Sequence, residues 1–430
     1  MARARRQRGA RRRPVRPGRA CTRDRRLAAV RARGRGDRVC AARPGLRGAR
    51  RRPRGRLAGV GERRVLIGTP VLELETPVLV VDLDALEHNI GVIARHYCGE
   101  SGEAEKAIRL RPHGKNHKAP EILAMQVAAG GTVGGVCAAK VSEAEVFVDA
   151  GAGNVLIANQ VVDPAKIRRL VALAGRVETT VAVDSDVQVA LLARGAESSG
   201  AALGVVIEVD TMMGRAGVRS VGQAVALARR VVAAPGLRFR GVMSHQVLRG
   251  AGDRANRFAE GGGYIERALE VRRAIEDAGI AVDMVSTGES WTYDVAATYP
   301  EVTEIEGGTY VFLEVPYAYM REFRYALRVM GRVVARPDPR TAIGDVPIDA
   351  IGAPNGLPTL EGPDGVAVTA IDHHGVVLSG DADLSLGIGD PFFLLTHQQD
   401  VTVNRWDRYV GVRDGRVERI IEAPARGCVH

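Results

Sequence analysis

The stretch Ala107-Ile108-Arg109-Leu110-Arg111-Pro112-His113-Gly114-Lys115-Asn116-His117-Lys118 begins as an apolar alternation and ends on a lysine flanked by two histidines. That order predicts a β-strand whose end presents an amine into a site. If the chain stays extended, His113, Lys115 and His117 share one face, because side chains alternate sides along a strand. A lysine among cationic neighbours in a partly desolvated pocket has a lowered pKa, so its free amine can form an imine with an aldehyde cofactor such as pyridoxal phosphate. Taken alone, the segment also reads as a solvated basic turn after a strand.

Working outward, the chain offers eight candidate strands: Val78-Val81, Ile108-Pro112, Val133-Ala138, Val155-Ala158, Thr180-Val183, Gly204-Val209, Phe239-Met243 and Val282-Ser286. Amphipathic stretches such as Ala119-Ala129, Ser142-Ala150, Pro164-Ala174, Val221-Ala233 and Gly263-Ala278 lie between them. The alternation predicts an α/β fold, a (β/α)8 barrel, with its site at the C-terminal ends of the strands. Polar residues fall at those ends: Lys115, Lys140, Asn159, Asp184, Asp210, Arg215, His245 and the turn at Gly288. Beyond about Met320 the pattern changes to short strands with Gly, Pro and Asp turns, at Val329-Val334, Val366-Ile371, Val376-Leu378, Phe392-Leu395, Arg408-Arg413 and Val417-Ile421, which predicts a C-terminal antiparallel β domain. The expected boundaries are a leader over 1–64, the barrel over 65–320 and the β domain over 321–430. Val65-Glu75 is a candidate extra strand of the β domain, and no internal repeat is visible.

The formal net charge is +11, and it is unevenly placed. Residues 1–64 hold 25 Arg, no Lys and only Asp24, Asp37 and Glu62 as acids, a balance of +22, so the remainder carries −11. Such a segment, without aromatics or periodicity, cannot bury enough apolar surface to offset its ordering entropy and is expected to be disordered. Three origins compete: a nucleic-acid-binding arm, a transit peptide, against which the absence of Ser counts, and an over-extended start in a GC-rich gene, which the absence of Lys favours. No apolar run reaches the roughly 18 residues of a membrane span. The five cysteines (Cys21, Cys40, Cys98, Cys137, Cys428) are scattered without a CxxC, which points to a reducing cytoplasm and away from a disulfide framework or a cysteine-ligated zinc.

The body resembles the family of D-threonine aldolase, D-serine dehydratase and 3-hydroxy-D-aspartate aldolase, fold-type III pyridoxal-phosphate enzymes with an alanine-racemase-like barrel. The resemblance spans about residues 68–428. It rests on Thr76-Pro77-Val78-Leu79-Val80-Val81-Asp82, then Arg111-Pro112-His113-Gly114-Lys115-Asn116-His117-Lys118, then Lys140-Val141-Ser142-Glu143-Ala144, then Glu208-Val209-Asp210 through Gly214-Arg215-Ala216-Gly217-Val218, and then Glu306-Gly307-Gly308-Thr309-Tyr310. It implies that Lys115 carries the cofactor; Lys118 is the rival amine, but its neighbour Ala119 opens a helix pattern, so it is expected to face away. It places Arg215 near the cofactor ring, where a guanidinium keeps the pyridine nitrogen unprotonated; a salt bridge to Asp210 or Glu208 is the alternative. His245, at the end of Gly241-Val242-Met243-Ser244-His245, is the candidate base for the substrate hydroxyl, against a plain core histidine. Thr287-Gly288-Glu289-Ser290-Trp291-Thr292 stands where the family has a glycine-rich phosphate loop, with Glu289 an odd neighbour for a dianion. Gly288, Ser290, Gly307, Gly308 and Tyr310 are the phosphate candidates. Gly130-Gly131-Thr132-Val133-Gly134-Gly135 reads as a turn, since it lacks the lysine and helix start of a phosphate loop.

The family also carries a His-x-Asp or His-x-Cys metal motif near its C-terminus. Here the row reads Thr396-His397-Gln398-Gln399-Asp400-Val401-Thr402-Val403-Asn404, so the family histidine falls on Gln398 and His397 stands one residue early. His397 and Asp400 are the candidate ligands, for Mn²⁺, Mg²⁺, Zn²⁺ or Ca²⁺. Asp345-Val346-Pro347-Ile348-Asp349 is a further departure from the family pattern. The implied activity is a lyase cleaving a D-β-hydroxy amino acid to glycine and an aldehyde, in a cytoplasmic homodimer with a small amino acid as its partner and neither membrane nor nucleic acid. The alternatives are a D-serine or 3-hydroxyaspartate dehydratase, an amino acid racemase on the same barrel and, from another class, a nucleic-acid-binding protein acting through its leader.

Overall fold

The structure is a computed structural model and describes residues 67–99 and 108–430. The arginine-rich leader lies outside the described residues. The first elements are a strand, β1 (Val78–Asp82), and a helix, α1 (Leu83–Cys98), whose N-terminus is capped by the Asp82 carboxylate accepting from Ala85 N at 3.0 Å.

A parallel barrel sheet is covered by helices outside and filled by its own side chains inside, so its strands tend to be apolar on both sides. The barrel strands meet that demand: β2 (Arg109–Leu110), β3 (Val136–Ala138), β4 (Asn154–Ile157), β5 (Glu178–Val183), β6 (Leu203–Glu208), β7 (Leu237–Ser244), β8 (Met284–Thr287) and β9 (Glu304–Ile305). Their order is β2-β9-β8-β7-β6-β5-β4-β3, all parallel. Parallel bridges from Leu110 to Thr132 and from His113 to Cys137 bring the two ends of this sheet together, with Cys137 N donating to Pro112 O at 2.8 Å. The barrel is therefore closed. Helices α2 (Pro120–Ala129), α3 (Val141–Asp149), α4 (Pro164–Ala174), α5 (Asp186–Ser199), α6 (Val221–Ala233), α7 (Arg254–Asp277) and α8 (Tyr293–Ala296) follow the strands. Caps set several of their starts: Asp163 accepts from Ala165 N and Lys166 N ahead of Pro164, and Ser220 accepts from Gln223 N. No helix of the described residues is long and apolar enough to cross a membrane.

The second sheet holds nine strands: β1, β10 (Leu327–Asp338), β11 (Thr341–Gly344), β12 (Thr359–Glu361), β13 (Val366–Ile371), β14 (Val376–Gly380), β15 (Pro391–Leu395), β16 (Arg408–Arg413) and β17 (Arg416–Glu422). A short helix, α9 (Gln399–Val403), follows β15. The strand expected at Val78-Val81 as the first of the barrel is a member of this sheet instead: β1 pairs antiparallel with β10 and parallel with β16. The reason is physical. Val78 and Val80 pack with Met330, Val410 and Val417, while Leu79 and Val81 face the main core, so β1 is as apolar on both faces as a barrel strand. The missing eighth barrel strand is β9, two residues long and begun by a glutamate, too short and too polar for a pattern to mark it. The strand considered over Val65-Glu75 is a 3-10 turn at Val71–Glu73 with a single bridge from Pro70 to Arg416, and Val65 and Leu66 lie outside the described residues.

Candidate functional site

Arg111 anchors the lysine segment. It lies inside the barrel, forks onto Glu304 of β9 with Nε–Oε1 at 2.7 Å and Nη2–Oε2 at 2.8 Å, and reaches Asn154 with its third nitrogen. Past Pro112 the chain does not stay extended. Gly114–Asn116 forms a 3-10 turn, with His117 N and Lys118 N both donating to Gly114 O, so the common face expected for His113, Lys115 and His117 is not formed. Gly114 is needed there because a Cβ would sit 2.4 Å from the ring of Phe147.

This turn sorts the basic side chains. Every residue of 111–119 is buried except Lys115, which opens into a cavity of about 390 Å³ at the C-terminal mouth of the barrel. His113 lines the same cavity, but His117 turns inward, edge-on to Phe147 at 5.8 Å, with its Nδ1 accepting from Ala119 N. Lys118, at φ 57°, is committed to the fully buried Glu143 at 2.8 Å, so it faces away from the cavity. Desolvation, helped by the charges of Lys115 and His245, holds the His113 imidazole well below its usual pKa and therefore neutral.

The ends of β7, β8 and β9 supply the other barrel residues. His245 lines the cavity and its Nδ1 is paired with Glu289 Oε1, both side chains being largely buried. Glu289, an odd member of a phosphate loop, is thus the partner of the histidine. The loops after β8 and β9 are tied together by Ser290 Oγ, which accepts from Gly308 N at 3.1 Å and Tyr310 N at 3.2 Å. Gly308 lines the cavity, and a Cβ on it would fall 2.0 Å from Asn116 Oδ1, so this turn lies bare against the lysine loop. Gly288, Ser290, Gly307 and Tyr310 are not among the lining residues. The Tyr310 hydroxyl instead accepts from Gln126 Nε2 at 2.7 Å in the core. Arg215 is also outside the lining: it is 53% exposed, with its guanidinium 3.8 Å from Glu208.

The second sheet closes the mouth. His397, Gln398 and Asp400 all line the cavity, together with Asn355. His397 meets Thr359 Oγ1 through Nε2 at 3.2 Å, and Gln398 occupies the N-cap position of α9. Asp400 Oδ1 is buried without a hydrogen-bond partner among the described residues. Beside it, Glu314 accepts from Gln399 N at 2.7 Å, and burial reinforced by the charge of Asp400 pushes its carboxyl up to about 7. Glu314, and the pairing of Glu289 with His245, escaped the sequence reading, since each is a lone acid in a loop whose partner is distant in sequence.

These residues fit the groups the sequence implied. For pyridoxal phosphate there is an accessible amine with no ion pair among the described residues, and a bare glycine turn facing it. For a divalent ion there is an orphaned buried carboxylate oxygen with an imidazole in the same wall, oxygen and nitrogen donors that suit Mn²⁺, Mg²⁺ or Zn²⁺.

Comparison with known proteins places the chain in a family. Residues 81–316 match the family model for the alanine racemase N-terminal domain. The chain is 35% identical over 380 residues to 3-hydroxy-D-aspartate aldolase of Paracoccus denitrificans (strain Pd 1222), covering 84% of this chain and 95% of that protein. It is 32% identical over 370 residues to D-threonine aldolase of an Arthrobacter species, with the same two coverages, 84% and 95%. The crystal structure of D-threonine aldolase from Filomicrobium marinum superposes with a TM-score of 0.80 at 32% identity, covering 85% of this chain and all of that one.

Proposed function

The chain belongs to the family of D-threonine aldolase and 3-hydroxy-D-aspartate aldolase, pyridoxal-phosphate lyases on an alanine-racemase-like barrel, and on that premise we propose that it cleaves a D-β-hydroxy amino acid between Cα and Cβ to give glycine and an aldehyde. The observation that carries this reading is the cavity itself: Lys115, the His245–Glu289 pair and Asp400, one of whose buried oxygens has no partner among the described residues, line one space.

When bound, pyridoxal phosphate withdraws the electron pair left on Cα as the bond breaks. The chain's own residues do the rest. Lys115 would hold the cofactor through its amine. A proton on His245 Nδ1 donated to Glu289 leaves Nε2 as the acceptor, and Nε2 takes the proton of the β-hydroxyl. Glu289 therefore sets the tautomer and stabilises the imidazolium that results. His397 and Asp400 would hold a divalent ion, whose Lewis acidity lowers the pKa of that hydroxyl. Gly308 and Thr309, on the tied loops, leave room for the phosphate. Arg215, exposed beside Glu208, would need to swing inward to reach the ring.

Product analysis tests the proposal. Purified protein supplied with pyridoxal phosphate, Mn²⁺ and a panel of D- and L-β-hydroxy amino acids should release glycine and the matching aldehyde from D substrates only. Ammonia with a keto acid would assign a dehydratase, and inverted substrate without cleavage would assign a racemase; either result rules out the aldolase reading.

A further inference from the structure

A second group of side chains that the cleavage does not use adjoins the cavity through His113. His113, Cys137 and Glu306, at the ends of β2, β3 and β9, are 5%, 0% and 3% exposed. One ring nitrogen of His113, the Cys137 sulfur and a carboxylate oxygen of Glu306 lie within 4.8 Å of one another. Cys137 Sγ donates to Glu306 Oε2 at 3.1 Å, and Ser286 Oγ donates to Oε1 at 2.9 Å. His113 Nδ1 is buried with no hydrogen-bond partner among the described residues. The nearby guanidinium of Arg111 cannot serve Glu306, because both arms of its fork are on Glu304.

We propose that His113, Cys137 and Glu306 form a binding site for a divalent cation of the zinc class, separate from the His397 and Asp400 wall. An imidazole, a thiolate and a carboxylate are a zinc donor set, and three protein ligands leave a fourth position open. Zinc bonds of about 2.0–2.3 Å place tetrahedral ligands some 3.3–3.8 Å apart, so the group needs to close by only about 1 Å. His113 also lines the cavity, which gives an ion a way in. The thiolate is the ligand form of cysteine, so binding releases the thiol proton, and the doubly charged ion is balanced by one thiolate and one carboxylate. Retention of the ion should strengthen as pH rises.

The test uses the purified holoenzyme, dialysed against Zn²⁺ or Co²⁺ and then freed of loosely held ions. X-ray absorption at the zinc edge should show one sulfur neighbour, and Co²⁺ should give tetrahedral ligand-field bands in the red, clear of cofactor absorption. Cys137→Ser and Glu306→Gln should remove the bands and Cys137→Ser the sulfur neighbour, whereas His397→Ala and Asp400→Asn should leave the bands and the sulfur neighbour in place. A zinc shell of nitrogen and oxygen only, or unchanged tetrahedral bands in Cys137→Ser, overturns the proposal. The wild-type absorption spectrum decides the matter even if the variants fail to fold. These readouts are independent of product formation, so the lyase reading stands or falls on its own.

Discussion

At the residue scale, His117 shows how far a motif can be read and where reading stops. The His-x-Lys-x-His pattern pointed to the lysine that opens into the cavity, but its apparent symmetry is undone by the turn at Gly114–Asn116, which no alternation rule contains. His113 reaches the cavity, while His117 is buried so deeply that desolvation lowers its pKa to about 3. The folded state therefore refuses a proton that the unfolded chain accepts below about 6.5. A depressed folded pKa gives stability that is fully present above the unfolded value and is lost as pH falls from there toward 3. The cost is roughly 1.4 kcal/mol per pH unit. Thermal melts of wild type and His117→Asn, whose amide oxygen can replace the Nδ1 acceptor, should converge as pH is lowered from 7 to 4, and parallel curves would refute this account. Lys118 makes a second case. Lys118→Ala should cost about 3–5 kcal/mol, because Glu143 is left charged and buried, yet cofactor loading should remain. Loss of the cofactor spectrum in a folded Lys118→Ala protein would contradict the assignment of the amine.

At the element scale, the helices with strong caps were legible to the residue. The spans expected at Pro164-Ala174 and Val221-Ala233 are those of α4 and α6, where an Asp-Pro start and a Ser cap fix the first turn. Strand partners were not legible. β1 reads as a barrel strand because burial on both faces looks the same whichever sheet supplies it, and β9 is invisible because it is held in place by one ion pair more than by its own pattern. That pair joins the lysine strand to the strand leading to Gly308. Glu304→Ala should therefore destabilise by about 3–5 kcal/mol, leaving Arg111 buried and unpaired, and a second substitution, Arg111→Met, should recover much of the loss. Additive losses in denaturant titrations of the two single variants and the double variant would mean that the pair does not couple the strands.

At the scale of the whole molecule, the site exists only where the two sheets meet: the barrel brings Lys115, His245 and Glu289, and the second sheet brings His397 and Asp400. The resemblance named both groups, but the extra residue between His397 and Asp400 left their placement open, because a short helix sets it and spacing alone does not. Exhaustive chelation should remove most of the cleavage activity, and Mn²⁺, which the thiolate site disfavours, should restore it. His397→Ala should abolish that rescue while the cofactor stays bound, and full activity after chelation would count against the metal's role. The account as a whole rests on one amine in one cavity, so its most direct test is to fix the cofactor with borohydride and map the modified peptide. The modification should fall on Lys115 alone and vanish in Lys115→Ala; its appearance on Lys118, or on any lysine outside the cavity, would contradict the account.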